Sequence, residues 1–95
     1  MYNVDELVGK IVTIKLNNGI EIIARLTANP LDPYTAYVLQ HPRTVVAAEK
    51  ELALIPYLFT GEGKEVVIST MSVQTIVESL PESAKGYEDI IKEDK

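Results

Sequence analysis

The chain of 95 residues has no cysteine, no tryptophan and one histidine. Without cysteine there is neither a disulfide framework nor a thiolate metal site. His41, alone, cannot assemble the several nitrogen and sulfur ligands that a structural metal centre needs, so no metal and no cofactor is expected. Aromatic residues are scarce, five tyrosines and one phenylalanine, and the core is therefore expected to be built from Val, Ile and Leu. No apolar run approaches the roughly 20 residues that cross a bilayer. The N-terminal MYNVDELVGK has neither the basic segment nor the apolar stretch of a signal peptide. These absences lead to the expectation of a soluble, cytoplasmic protein with no membrane partner.

An excess of basic charge is also missing. The net charge is −5, and the acids concentrate at the ends: Asp5 and Glu6 near the start, and five acids against three lysines over residues 82–95. Residues 9–81 are close to neutral. A nucleic-acid partner usually leaves a basic footprint, so tight, non-specific phosphate binding is disfavoured while a small local site remains compatible. Catalytic signatures are missing too. Ser69, Ser72 and Ser79 have no adjacent base motif, no Gly-rich loop precedes a helix, and Glu62, Glu65 and Glu78 read as solvated surface charges. No enzyme activity and no small-molecule substrate are expected.

What is present is a hairpin. In GKIVTIKLNNGIEIIARL, Val12, Ile14 and Leu16 alternate on one face of a first strand, and Ile20, Ile22, Ala24 and Leu26 alternate on one face of a second. A period of two is what a half-buried antiparallel pair requires, and Asn17-Asn18-Gly19 suits the reversal because these residues tolerate positive φ. Before it, Val4, Leu7 and Val8 at helical spacing, with Asn3 as N-cap, predict a turn or two of helix. After it, Pro30 and Pro33 interrupt the pattern. An extended run from Tyr34 to about Val46 follows, with Pro42 marking a bend, bulge or edge. ELALIPYLF, KEVVIST and VQTIVESL continue as extended segments separated by turns, and Ser83 to Lys92 reads as a short terminal helix. Residues 1–80 are taken as one barrel-forming unit and 81–95 as an acidic tail or short helix. Short strands linked by turns favour a small bent barrel over a parallel sheet.

The hairpin also resembles the first signature of the Sm-like family (Sm, LSm and Hfq proteins). Gly9, Lys10, Val12, Ile14, Leu16, Gly19 and Leu26 fall on it without a gap, with Ala24 in place of a second glycine. The resemblance implies a mostly β fold: a short N-terminal helix followed by a five-stranded, strongly bent antiparallel SH3-like barrel. It also implies single-stranded RNA binding through an Asp-x-aromatic-Asn motif and a later basic pair. Here the first motif reads Asp32-Pro33-Tyr34-Thr35, with Thr where the family has Asn. The second register carries Ser69-Thr70 where the basic pair stands, which removes the cation that closes the family's base pocket. The candidate RNA contacts are thus Asp32, Tyr34, Thr35, Ser69 and Thr70, with His41 and Arg43 adding positive charge once per subunit.

An extension from roughly Arg43 to Lys64, with Pro42-Arg43-x-Val45 and later Leu54-Ile55-Pro56-Tyr57-Leu58-Phe59, resembles Sm-like proteins encoded by tailed bacteriophages, a likeness covering about residues 7–80, which places the expected setting in a bacterial or phage-infected cell. Members of the family close into rings of about five to seven copies by edge-strand pairing, which hides edges that would otherwise aggregate. Five or six copies are favoured here. Ile55 to Phe59 is apolar on both alternating faces and must be covered twice. The expected subunit interface is therefore Ile55, Tyr57, Leu58, Phe59, Val67 and Ile76. The competing expectation is an adaptor ring that binds proteins without RNA.

Overall fold

The computed structural model describes residues 4–29 and 35–93. A four-residue 3-10 turn (Val4–Leu7) leads into β1 (Ile11–Leu16) and β2 (Glu21–Thr27), followed by the twelve-residue β3 (Ala36–Ala47). Then come β4 (Leu52–Pro56), β5 (Glu65–Ser69), a second 3-10 turn (Thr70–Ser72), β6 (Val73–Glu78) and α1 (Pro81–Glu93). All strand pairings are antiparallel, in the spatial order β4-β3-β2-β1-β6, with β5 also pairing β3.

The hairpin forms as its alternation dictates. Val12, Ile14 and Leu16 of β1 and Ile22, Ala24 and Leu26 of β2 face one interior, joined there by Leu7, Leu39 and Ile68. Each such Val, Ile or Leu side chain contributes about 1.5–3 kcal/mol on leaving water. The reversal is a Leu16-to-Gly19 turn closed by a 2.9 Å bond from the Gly19 amide to the Leu16 carbonyl. Gly19 sits at φ 91°, a conformation open to glycine at no steric cost. Ile20 differs from expectation: it belongs to the turn, outside β2, and is exposed rather than part of the inner face.

Two further expectations are revised. The N-terminal helix is a single 3-10 turn, because Leu7 alone among its four residues is buried and Gly9 at φ 88° ends the segment. The return strand opposite β3 is split, giving six strands rather than five. β4 pairs residues 43–47 of β3 and β5 pairs residues 36–40, in line along the same edge. Between them Pro56 ends β4, and Gly61 and Gly63 turn the chain back toward β5. Tyr57, Leu58 and Phe59 therefore lie outside any strand, and the two-faced apolar strand expected over Ile55–Phe59 does not form.

The split coincides with a bulge in β3. Ile23 of β2 faces Arg43 while Arg25 faces Gln40, so β3 carries one extra residue at His41-Pro42. Pro42 has no amide hydrogen for the ladder, and His41 takes up the kink at φ 49°. The terminal helix secures this point. Tyr87 is 2% exposed, and its hydroxyl donates to the carbonyls of both Gln40 and His41 at 2.9 Å. Its ring packs with Ile11 and Ile23 on the outer face of the sheet, with Val45, Leu54, Ala84 and Ile91 around them. The sheet thus has a second, smaller core on its outer face.

Burial pushes the Tyr87 phenol up to about 12, from 10.0, although the neighbouring Arg25 and Arg43 charges pull it down. The fold favours the protonated phenol, so its contribution is complete below pH 10 and is lost as pH rises from 10 toward 12. Urea denaturation should show a loss of about 1–2 kcal/mol for Tyr87→Phe, which orphans two carbonyl contacts, and of about 3 kcal/mol or more for Tyr87→Ala. The fall in denaturation midpoint above pH 10 should be smaller in Tyr87→Phe than in the wild type.

Candidate nucleic-acid interface

One end of the sheet gathers loops that are far apart in sequence. The Thr70 amide donates to the Thr35 carbonyl at 3.0 Å, and Ser69 faces Ala36 across the β3–β5 ladder. The hairpin turn joins them from the other side: the Asn17 amide donates to the Ser72 carbonyl at 2.9 Å, and Asn17 Nδ2 donates to the Met71 carbonyl at 2.7 Å. Ser69 caps the second 3-10 turn, its Oγ accepting from the Met71 amide at 3.2 Å. The same hydroxyl keeps a proton to donate. Asn29 Nδ2 donates to the Ala36 carbonyl at 3.0 Å, holding the start of β3 against the end of β2.

Thr35, Ser69 and Thr70 are thereby brought together, as two loops of one surface. Asp32 and Tyr34, which carry the aromatic half of the same motif, lie outside the described residues. His41 and Arg43 do not join this group. They sit at the β3 bulge, five residues or more along the strand from Ala36, roughly 16 Å at about 3.3 Å per residue.

A cleft of about 510 Å³ opens beside the loop end, lined by Leu16, Asn17, Asn18, Tyr57, Val67 and Ser69 among others. Its walls are mixed: amides and a hydroxyl supply donors and acceptors, while Val67 and Met71, 64% and 85% exposed, supply apolar contact. Asn17, Asn18 and Tyr57 were not expected here from the sequence. The asparagines read there as turn residues, and the fold alone carries the turn against the loop after β5. Tyr57 is half-buried against the main core, so its position is that of a cleft wall rather than an open surface.

The sheet does not close on itself. Among the described residues β5 pairs only β3 and β6 pairs only β1, and the two are linked by the three residues Thr70–Ser72. Two sides of the sheet are therefore left unpaired among the described residues: β5, in line with β4, on one, and β6 on the other. Val67 lies on one of them and Val77, 41% exposed, on the other. Ile76 faces inward and packs against the core, Ile55 is half-buried, and Phe59 projects from the segment between β4 and β5 at 79% exposure.

The mostly β architecture, an open antiparallel sheet with one C-terminal helix, matches the fold of solved Sm proteins. A heptameric archaeal Sm protein superposes with a TM-score of 0.56 at 17% identity, over 81% of this chain and 96% of that one. The Sm heptamer of P. aerophilum superposes with a TM-score of 0.56 at 15% identity, over 84% and 99%. A chain of the NatC complex bound to CoA is similar as well, with a TM-score of 0.53 at 16% identity over 85% and 90%. No protein-family profile matches the sequence, and no curated protein matches it in sequence. At these identities the likeness is one of fold.

Asn17→Ala should remove the 2.7 Å tie between the hairpin turn and the second 3-10 turn. A stability loss of about 1 kcal/mol is expected, with faster amide exchange confined to residues 70–73 and the rest of the sheet unchanged.

Proposed function

We propose that the chain assembles into a closed homo-oligomeric ring through its two unpaired edges, β5 of one copy against β6 of the next, and that the loop end binds single-stranded RNA. The observation that carries the assembly is the open sheet: two edge strands on one chain, joined by a three-residue turn, with Val67 and Val77 exposed on them. Unpaired edges invite pairing with another chain, and a head-to-tail contact that closes makes a ring. The two Sm neighbours being heptamers supports this reading. Rings of five to seven copies are compatible with it, with five or six favoured.

RNA contact is assigned to Asp32, Tyr34, Thr35, Ser69 and Thr70. Support comes from the meeting of Thr35 with Ser69-Thr70 at one surface. Tyrosine stacking tolerates any base, whereas hydroxyls in place of a cationic pair make weaker, less selective contacts. That substitution favours a second reading, an adaptor ring that binds proteins only. The chain of the NatC complex, a protein assembly with the same fold, is consistent with it. In either reading the protein is non-catalytic and works in the cytoplasm.

Light scattering after size exclusion should give a mass that is an integral multiple of 10.5 kDa, and Val67→Asp should reduce it to one copy with an unchanged circular dichroism spectrum. A monomeric wild type at micromolar concentration would refute the ring. Fluorescence anisotropy with short U-rich and A-rich RNA should show saturable, salt-sensitive binding that Tyr34→Ala weakens by about 1 kcal/mol or more. Absence of binding even at low salt would leave the adaptor reading in place.

A further inference from the structure

The basic side chains of this acidic chain are not evenly spread. A cleft of about 690 Å³ lies against the β3 bulge, lined by His41, Arg43 and Lys64, with Tyr57, Pro42 and Ile91 among its walls, and among the described residues no carboxylate lines it. A smaller adjoining cleft shares His41 and Ile91 and adds Arg25 and Lys92, with Glu88 as its one acid among the described residues. Five of the ten basic side chains of a chain whose net charge is −5 thus border one continuous surface.

The placement follows from the backbone. The His41 amide donates to the Lys64 carbonyl at 2.9 Å, which fixes Lys64 beside the bulge, and the extra residue there sets Arg43 opposite Ile23 on the outer face. Tyr57 is the wall between this cleft and the loop-end cleft, since it lines both. A groove of positive charge bordered by an aromatic ring is the chemistry that tracks a single-stranded phosphate backbone.

We propose that a single strand of RNA bound at the loop end continues past Tyr57 into this cleft, where Arg43 and Lys64 hold its phosphates. The inference rests on the RNA-binding reading above and adds a second contact to it, at the bulge rather than at the loops. The clefts are distinct sites on one path. The loop end takes the first few nucleotides, and the basic cleft takes the backbone that follows.

The test is anisotropy with labelled tetranucleotides and dodecanucleotides, in both oligo-U and oligo-A series, against the assembled wild type and the variant Arg43→Glu/Lys64→Glu. The dodecanucleotide should bind the wild type at least about tenfold more tightly than the tetranucleotide. The double variant should lose about tenfold or more on the dodecanucleotide and keep its tetranucleotide affinity. Its salt slope should fall by about 1.4, two phosphates at about 0.7 each. Lys64→Ala, at an exposed position, should give roughly half that fall in slope, and carries the test if the double variant does not fold. Equal binding of both lengths by wild type and variants would overturn the second contact and leave the loop-end site standing. Equal loss on both lengths would overturn it too, since the charges would then act as a general field. No binding of either length by the wild type would overturn both readings.

Discussion

A proline has no amide hydrogen to give a ladder, and β3 carries Pro42 at the middle of its twelve residues. A strand that long, flanked on both edges, can accommodate the missing donor only by stepping out of register. The step is the His41-Pro42 bulge, and the rest of the architecture is arranged around it. It separates the stretch of β3 that holds β5 from the stretch that holds β4. It turns the carbonyls of Gln40 and His41 toward the Tyr87 hydroxyl. Buried carbonyls without partners are costly, so the terminal helix, which brings Tyr87, answers a demand that the bulge creates.

The same irregularity shapes the surface. Where β4 stops and β5 has not begun, the chain leaves the sheet for eight residues, 57–64, and clefts form on either side of Tyr57. One side carries the amides and hydroxyls of the loop end; the other carries cations. A regular long hairpin would have filled this space with paired backbone, leaving neither cleft. The open edges of β5 and β6 have a different origin: β6 ends the strand order on one side, β5 lies in line with β4 on the other, and Thr70–Ser72 carry the chain from one side to the other.

The inner face was legible because alternation is a local property: Val12, Ile14, Leu16, Ile22, Ala24 and Leu26 can be assigned to one side from their spacing alone. Pro42 could be read as a bend, bulge or edge for the same reason, since its effect is confined to its own residue. The terminal helix was legible over Ser83 to Lys92 and runs from Pro81 to Glu93. Less could be read of Ile20, whose apolar side chain continues the pattern by one residue into a turn that Gly19 controls. Ile11 and Ile23, on the nominally outer face, gave no sign of where they would be buried, because their cover arrives from more than sixty residues away in Tyr87.

The candidate site divides along the same line. By itself the sequence determined the hairpin, its glycine turn, the aliphatic core and the residue types offered at the loops, because each follows from periodicity or from a single residue's backbone preferences. Tertiary structure alone decided that Thr35 meets Ser69 and Thr70 while His41 and Arg43 stand apart from them. It also decided that Lys64 comes to lie beside His41, and that Tyr57 becomes a wall between two clefts. Those outcomes depend on strand register and on one inserted residue, and register is a property of paired segments that neither strand specifies alone.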